Sequence, residues 1–544
     1  MMIFDLDPTL FTLSMIVITS FFILFIDDRV ILSFVNNSDK PYFKKNLTDN
    51  SYFLILFFIL FVLTTGYQGQ YLNYETIDSD IHTYLLVGND VLNGYLPYEN
   101  EWDDKGPMLY IFYAILIFLS NNNLIIFKIL CNVIVLIISF TIAKISFLIN
   151  KKNKKSQALF SSTLFILLLS PPWGSVEYSE IIALLFLSAS IYILLKNLND
   201  RKFIFLSGII YGLATLVNQG TGIFFLLFIY FIYQSKKLFN LNFFILGIII
   251  PQLIILGLYA SRDLLDIYFA TLFVIPVKYS SQNFNLIYEF SVYLRETFYF
   301  DPFLYSIIIL LLVISIFRIK EIKDFSFYDF FPYFGIFLSF IFFYLGSTGY
   351  KHHLIFLLFF LSLVPISFLK NKKSFAWIFI TFFLLSFTFL GIKSLSKSFE
   401  NLNHLDEVYA NYPLRQLSVE IENEFLDEYS IFGVDHTLIL FYLDKENEGY
   451  IIHPTNYLEP AIFNELIRLD KILTNELSFQ ISKKPDVVLC SQEIRWLLEE
   501  VNCEVTDFYK GYRKINTEIY FDSPNRTFYK DPYRTIDLYI NSKN

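Results

Sequence analysis

The chain is poor in charge. Only 17% of its 544 residues are Asp, Glu, Lys or Arg while 55% are hydrophobic, which excludes an ordinary soluble globular protein. Positive charge is not in excess either. The net charge is −9, and with no suitable basic tract this argues against nucleic acid as a partner. The three cysteines decide little. Cys131 sits in an apolar run and reads as inert, and Cys490 and Cys503 flank a predicted helix, where a disulfide needs a compartment outside the cytoplasm. The apolar run 9–26 lacks a basic leader and a small-residue cleavage site, so it reads as a retained span and not a cleaved signal. His404, His436 and His453 show no metal-ligand spacing and are assigned no role; His82 reads as a solvated helix residue.

What the chain has in abundance is apolar length. The mean hydropathy is +0.50. Runs able to cross a hydrocarbon core of about 30 Å recur from residue 9 to about 392. Expected spans are 9–27, 51–66, one or two in 107–149, 156–172, 179–196, 203–217, 220–235, 240–262, 302–318, 328–347, 351–369 and 374–392. Basic residues cluster at 40–45, 151–155, 196–202, 236–237, 318–323 and 370–373, whereas the connections 67–106, 171–179, 216–221, 262–301 and 346–351 are acidic or neutral. The positive-inside rule makes the first set cytoplasmic and the second exterior. Regular alternation then requires an odd number of crossings between 106 and 150. The short run 107–120 is therefore expected to be re-entrant or interfacial, giving about 12 spans with both termini outside. Residues 1–395 form the expected membrane domain, with 67–106 as its first exterior loop, and the charge-bearing residues 396–544 an extracytoplasmic α/β domain. In that domain 430–434, 449–453 and 485–490 read as strands, and 436–444 and 492–501 as helices.

The candidate chemistry lies in the polar island 78–111 of the first exterior loop. Asp78 and Asp80 precede a run whose apolar residues Ile81, Tyr84, Leu85, Val91 and Leu92 fall on one helical face. One aspartate suffices to cap that helix, which leaves the other free. Asp-Ser-Asp also matches the DxD pattern that holds a metal and a nucleotide sugar in soluble transferases, but no Rossmann-like surround accompanies it. The pair can bind a divalent cation or act alone. Gly94, Pro97 and Tyr98 predict a turn, and Tyr74, Tyr84, Tyr95, Tyr98 and Trp102 suit an interfacial aromatic belt. Lys105 is either a snorkelling anchor or a point charge for a lipid phosphate.

Asp-Ser at the loop, then Asn-Gly-Tyr-x-Pro-Tyr (93–98), then Asp-x-Lys-Gly-Pro (103–107) entering an apolar run resembles the GT-C membrane glycosyltransferases, in particular the ArnT/protein-mannosyltransferase-like branch. The resemblance spans most of the chain, but only the 78–110 block is specific. It implies sugar transfer from a polyprenyl-phosphate carrier to a lipid, glycan or protein acceptor on the outer face, among membrane lipids, with inversion at the anomeric carbon. It implies that Asp78, or else Asp80, is the base and that Lys105 contacts the carrier phosphate, with Tyr98 and Asp103 also binding substrate. Further implied substrate-binding residues are Glu180, next to Glu177, and the cluster Lys351, His352 and His353. The chain departs from the family at Asp104, where relatives often carry His, and at Asn218, where they often carry Lys. The competing classes are a flippase for a lipid-linked sugar and a surface-polysaccharide polymerase or ligase. The flippase is disfavoured because no internal repeat appears and the charges gather at the exterior ends of spans.

Overall fold

In a computed structural model, the described residues are 48–491, 512–520 and 533–541, apart from 77, 151–153, 175–176, 235–238, 280–283, 320–326, 347–348, 366–372, 426–427 and 458. The expected span 9–27, the expected helix 492–501 and Cys503 lie outside them.

The membrane part is helical throughout. Its helices are α1 (Asp49–Gln68), α2 (Ser79–Leu92), α3 (Pro107–Ser120), α4 (Leu124–Ile149), α5 (Lys154–Leu168), α6 (Ser179–Lys196), α7 (Arg201–Val217) and α8 (Phe225–Gln234). There follow α9 (Asn240–Ala260), α10 (Leu265–Phe269), a π-helical turn Ala270–Val274, α11 (Ile275–Tyr279), α12 (Leu286–Phe300), α13 (Pro302–Ile319), α14 (Phe327–Leu345), α15 (Ile355–Ser362) and α16 (Lys373–Asn403). Among the described residues, five helical segments are long and apolar enough to cross a membrane: 49–73, 124–149, 179–196, 240–260 and 378–403. Further apolar helices of 10–17 residues are 107–120, 219–233, 302–317, 330–345 and 351–362. At 1.5 Å per residue, a helix of this size covers at most about 25 Å.

Helix α3 is tied to its neighbours along its length. At its start, the Gly106 N–H donates to the Val217 carbonyl. Midway, the Tyr113 hydroxyl donates to the Glu177 carbonyl. It ends in a left-handed residue, Asn121, and α4 starts three residues later. Close to that start, Lys128 reaches the carbonyls of Tyr71 and Tyr74 and pairs with Glu177 at 3.3 Å. The helix 107–120 packs along α2.

The C-terminal segment adds α17 (Leu405–Ala410), α18 (Pro413–Glu424), β1 (Ile431–Gly433), α19 (Leu438–Leu443), α20 (Pro460–Arg468), α21 (Glu476–Ser482), β2 (Val487–Ser491), β3 (Tyr512–Tyr520) and β4 (Tyr533–Asn541). The sheet order is β1-β2-β4-β3, with β1 parallel to β2 and the other pairs antiparallel. The stretch 449–453 is not a strand of this sheet, contrary to expectation. Its main chain pairs with the first loop instead: the Trp102 N–H donates to the Tyr450 carbonyl at 2.7 Å, and Trp102 bridges Ile451. Strands β3 and β4 were not anticipated, although Ile515, Thr517 and Ile519 alternate as β-branched residues should.

Candidate active site

The site grows from the start of α2. Asp78 is its N-cap, in extended conformation, and the carboxylate accepts the Asp80 N–H at 3.4 Å. The other carboxylate oxygen accepts the Tyr178 hydroxyl at 3.0 Å. Two turns of helix then bury Ile81, Tyr84, Leu85 and Val87, at about 1.5–3 kcal/mol per side chain, and this anchors the two aspartates. His82, expected in water, is buried and bonded to Thr76 Oγ1 at 2.6 Å.

Asp80 faces a partner from the far end of the chain. His453 Nε2 lies 3.1 Å from Asp80 Oδ1 and 3.0 Å from Ser79 Oγ. Sequence reading left His453 without a role. No spacing rule links residues 374 positions apart, so the signal is absent from the sequence, and the contact exists because 449–453 pairs with the loop.

The returning limb of the loop carries Lys105. Its ammonium pairs with Asp104 at 2.7 Å and stays partly open to solvent. Gly94, at φ 95°, turns the chain after α2. Gly106 lets the limb press against α7: a Cβ there would lie 2.0 Å from the Leu216 carbonyl oxygen. Asp103 and Tyr98, expected to bind substrate, sit behind the lysine with their polar atoms already engaged. Asp103 accepts from Tyr110 (2.8 Å), Thr83 (3.2 Å) and Asn456 (3.4 Å), and the Tyr98 hydroxyl donates to the Lys105 carbonyl. Tyr84, Tyr98 and Trp102 are fully buried in protein, where an interfacial belt was expected. The reason is polar: Trp102 Nε1 bonds Thr271 at 2.9 Å and the Tyr84 hydroxyl bonds Asp80 at 3.3 Å.

Two further loops close the cluster. Glu180, at the start of α6, is completely buried and accepts from Asn218 at 3.1 Å and from Ser179 at 3.2 Å. His352 stacks on Tyr178 at 4.3 Å, and His353 Nε2 lies 3.6 Å from Glu180 Oε1. Lys351 does not join them; it pairs with Glu296 and lies over the Trp173 ring at 5.4 Å. Asp78, Asp80, Lys105, Glu180, His352 and His353 thus meet, whereas Lys351 serves the α12 side.

The electrostatics divide the aspartates. Burial pushes the Asp78 carboxyl up and the neighbouring Asp80 charge pushes it further, only partly offset by His352, His453 and the Tyr178 hydroxyl. Burial acts on Asp80 in the same sense, but the His453 hydrogen bond, Lys105 and the histidine charges hold it well below the usual carboxylate range. His453 is raised because the bond and charge of Asp80 outweigh burial. Lys105 is raised because Asp104, Asp80 and Asp103 outweigh its own burial. Burial and Asp104 push Asp103 up to about 6.

A helical body, an acidic first loop folded over its end and a C-terminal segment capping that loop make up an arrangement that solved structures share. Among solved structures, the chain is similar to ArnT from Cupriavidus metallidurans. In the structure bound to undecaprenyl phosphate, 89% of this chain matches 97% of that one at a TM-score of 0.53 and 11% identity. In the apo state the shares are 90% and 98%, at a TM-score of 0.53 and 10% identity. At that identity the likeness is one of fold. The Archaeoglobus fulgidus oligosaccharyltransferase tethered with an acceptor peptide also matches, with a TM-score of 0.46, 11% identity and coverage of 82% and 70%. No family model matches the sequence, and no curated protein does.

Proposed function

We propose that the protein transfers a sugar from a polyprenyl-phosphate-linked donor to a lipid, glycan or protein acceptor on the outer face of a cell membrane, with inversion. The observation that carries this reading is the meeting of Asp78, Asp80 and Lys105 with His453 at one end of a GT-C fold. The undecaprenyl phosphate bound to the Cupriavidus structure supports a carrier of that chemical class.

In this reading the acceptor nucleophile attacks the anomeric carbon as the bond from that carbon to the phosphate oxygen breaks. The electron pair leaves on the phosphate, and the acceptor proton passes to Asp78. A carboxylate with a raised pKa is the better base near neutral pH, and Asp78 is the raised member of the pair. Asp80, held ionised by His453, keeps Lys105 and the histidine oriented. Lys105 supplies the positive charge for the leaving phosphate. The aromatic membrane helices hold the carrier tail. The division near residue 395 into a membrane domain and an extracytoplasmic domain, and a total of about 12 crossings, belong to the same proposal.

The test is sugar transfer from a polyprenyl-phosphate donor by the purified chain in nanodiscs. Asp78→Asn is expected to lower turnover by roughly 10²–10⁴-fold and Lys105→Ala by roughly 10²–10³-fold. Turnover equal to wild type in Asp78→Asn, Asp80→Asn and Lys105→Ala alike would sink the assignment. Labelling of a cysteine placed at Asn100 only from the cytoplasmic side would sink the topology.

A further inference from the structure

We propose that the segments 49–73, 124–149 and 378–403 enclose a binding site for an uncharged lipid that carries a free hydroxyl group. A cavity of about 390 Å³ lies between them, lined by Phe61 and Leu72 from the first, Val133 and Leu136 from the second, and Phe399 and Leu402 from the third. That volume falls in the range of pockets that take small molecules, roughly 300–1,000 Å³. All three segments are long and apolar enough to cross a membrane. Phe61 and Val133 are 49% and 40% exposed, so the cavity is open on their side, where a bilayer places acyl chains. Its wall is firmly built. A Cβ on Gly66 would lie 2.0 Å from the Leu395 side chain, so α1 and α16 touch closely beside it. The Ser398 hydroxyl and the Asn401 amide fasten that contact by donating to the carbonyls of Gly66 and Gly69, at 2.6 and 2.9 Å.

Two oxygens in the lining define the chemistry of the occupant. Thr64 Oγ1 and Asn132 Oδ1 are buried and have no hydrogen-bond partner among the described residues, and Thr64 is only 2% exposed. Other helical hydroxyls bond back to the preceding turn, as Ser139 does to the Val135 carbonyl and Thr141 to that of Ile137, both at 2.8 Å. Thr64 makes no such bond. A buried polar group left without a partner is costly, which favours a ligand that supplies one. A hydroxyl both donates and accepts, so it can satisfy either oxygen. An ionised head group is disfavoured, because among the described residues no charged side chain lines the cavity. The site is separate from the loop cluster. Ile129, Asn132, Val133 and Leu136 form one stripe of α4, spaced i, i+3, i+4 and i+7. Lys128 and Cys131 lie on another face, where Lys128 pairs with Glu177. Occupancy of the cavity therefore does not rest on the transferase reading.

The test uses the full chain in nanodiscs with two photoreactive probes, a long-chain alcohol bearing a diazirine in its chain and the methyl ether of the same alcohol. Labelled peptides are mapped by mass spectrometry. The alcohol is expected to label 61–72, 129–136 and 395–402 in preference to the other apolar helices, and the ether to label them roughly 3–10-fold less, the effect of losing a neutral hydrogen bond. Thr64→Val and Asn132→Leu, which nearly keep side-chain size, should each lower labelling by the alcohol by a similar factor. Val133→Trp should fill the cavity and suppress both probes. A thermal unfolding scan checks that each variant is folded, and the comparison of the two probes on the wild type needs no variant. Equal labelling by alcohol and ether, the result expected if water meets the two oxygens, overturns the proposal. So does labelling spread evenly over the apolar helices, which marks bulk lipid only. Absence of labelling by both probes, as when residues 9–26 or a second copy of the chain fill the cavity, overturns it too. Because no turnover is measured, lipid binding can fail while sugar transfer stands, and the reverse.

Discussion

Replacing His453 by glutamine tests how the site is held together. The ring nitrogen and the Asp80 carboxylate are 3.1 Å apart, and less than a fifth of either side chain is exposed. At an effective dielectric constant of about 20, opposite charges at that distance attract by about 5 kcal/mol before desolvation is subtracted. Breaking such a buried pair from one side costs about 3–5 kcal/mol, because the remaining charge has no counter-ion. His453→Gln and Asp80→Asn should each destabilise the folded chain by about 3 kcal/mol, and the double variant by little more, a coupling of about 2 kcal/mol. Unfolding in detergent, followed for the wild type, both single variants and the double variant, measures this cycle. The pH dependence supplies a second readout. The His453 pKa is raised on folding, so its contribution is complete below the unfolded value of about 6.5 and is lost as pH rises through the folded value. The Asp80 pKa is lowered, so its contribution is complete above about 3.9 and is lost as pH falls through the folded value. The gap between wild type and His453→Gln should therefore be widest from weakly acidic to neutral pH and narrow under alkaline conditions. Additive single effects, within about 0.5 kcal/mol, refute the reasoning, as does a gap independent of pH.

Three other outcomes follow from the geometry. Tyr178→Phe removes a hydroxyl that favours the charged form of Asp78, so the acidic limb of the kcat/KM profile should move to higher pH, measured against wild type in the transfer assay. Lys128→Met leaves Glu177 buried without its cation and frees the Tyr71 and Tyr74 carbonyls, and should destabilise the fold by about 3–5 kcal/mol in detergent unfolding. Asp90, raised to about 7 by burial with nearby Glu446 and Glu99 adding to it, lies beside the buried Glu101 where loop and C-terminal segment meet. Its raised pKa stabilises the folded state at low pH and that contribution is lost as pH rises through about 7, so protease nicking at 445–471 should increase with pH in wild type and change less in Asp90→Asn.

The helical body was legible because its signal is local. Apolar runs can be read within windows of twenty residues, and the short helix 107–120 is among the elements they indicate. The cap at Asp78 was equally local. Misreadings arise where partners are distant in sequence. Tyr84, Tyr98 and Trp102 look like an interfacial belt until Asp80, the Lys105 carbonyl and Thr271 are seen to take their polar groups. The stretch 449–453 looks like an internal strand because nothing in its composition says that its hydrogen bonds go to residue 102. His453 belongs to the same class of error. Lys351 illustrates the reverse case: adjacency to two histidines suggested a shared role, yet consecutive side chains leave a short helical turn in different directions.

The pairing of Trp102 with Tyr450 and Ile451 sets an order of events during synthesis. A chain still on the ribosome has inserted its first loop long before the codon for His453 is read. Until then Asp80 faces water or an incomplete surround, and the loop lacks the main-chain partner that closes it. The nascent protein is therefore a helical body in which the cluster around Asp80 is still incomplete. The same separation makes the chain divisible. A gene cut in the connection between α16 and α17 should yield two fragments, each inert, whose co-expression restores the missing imidazole to its aspartate.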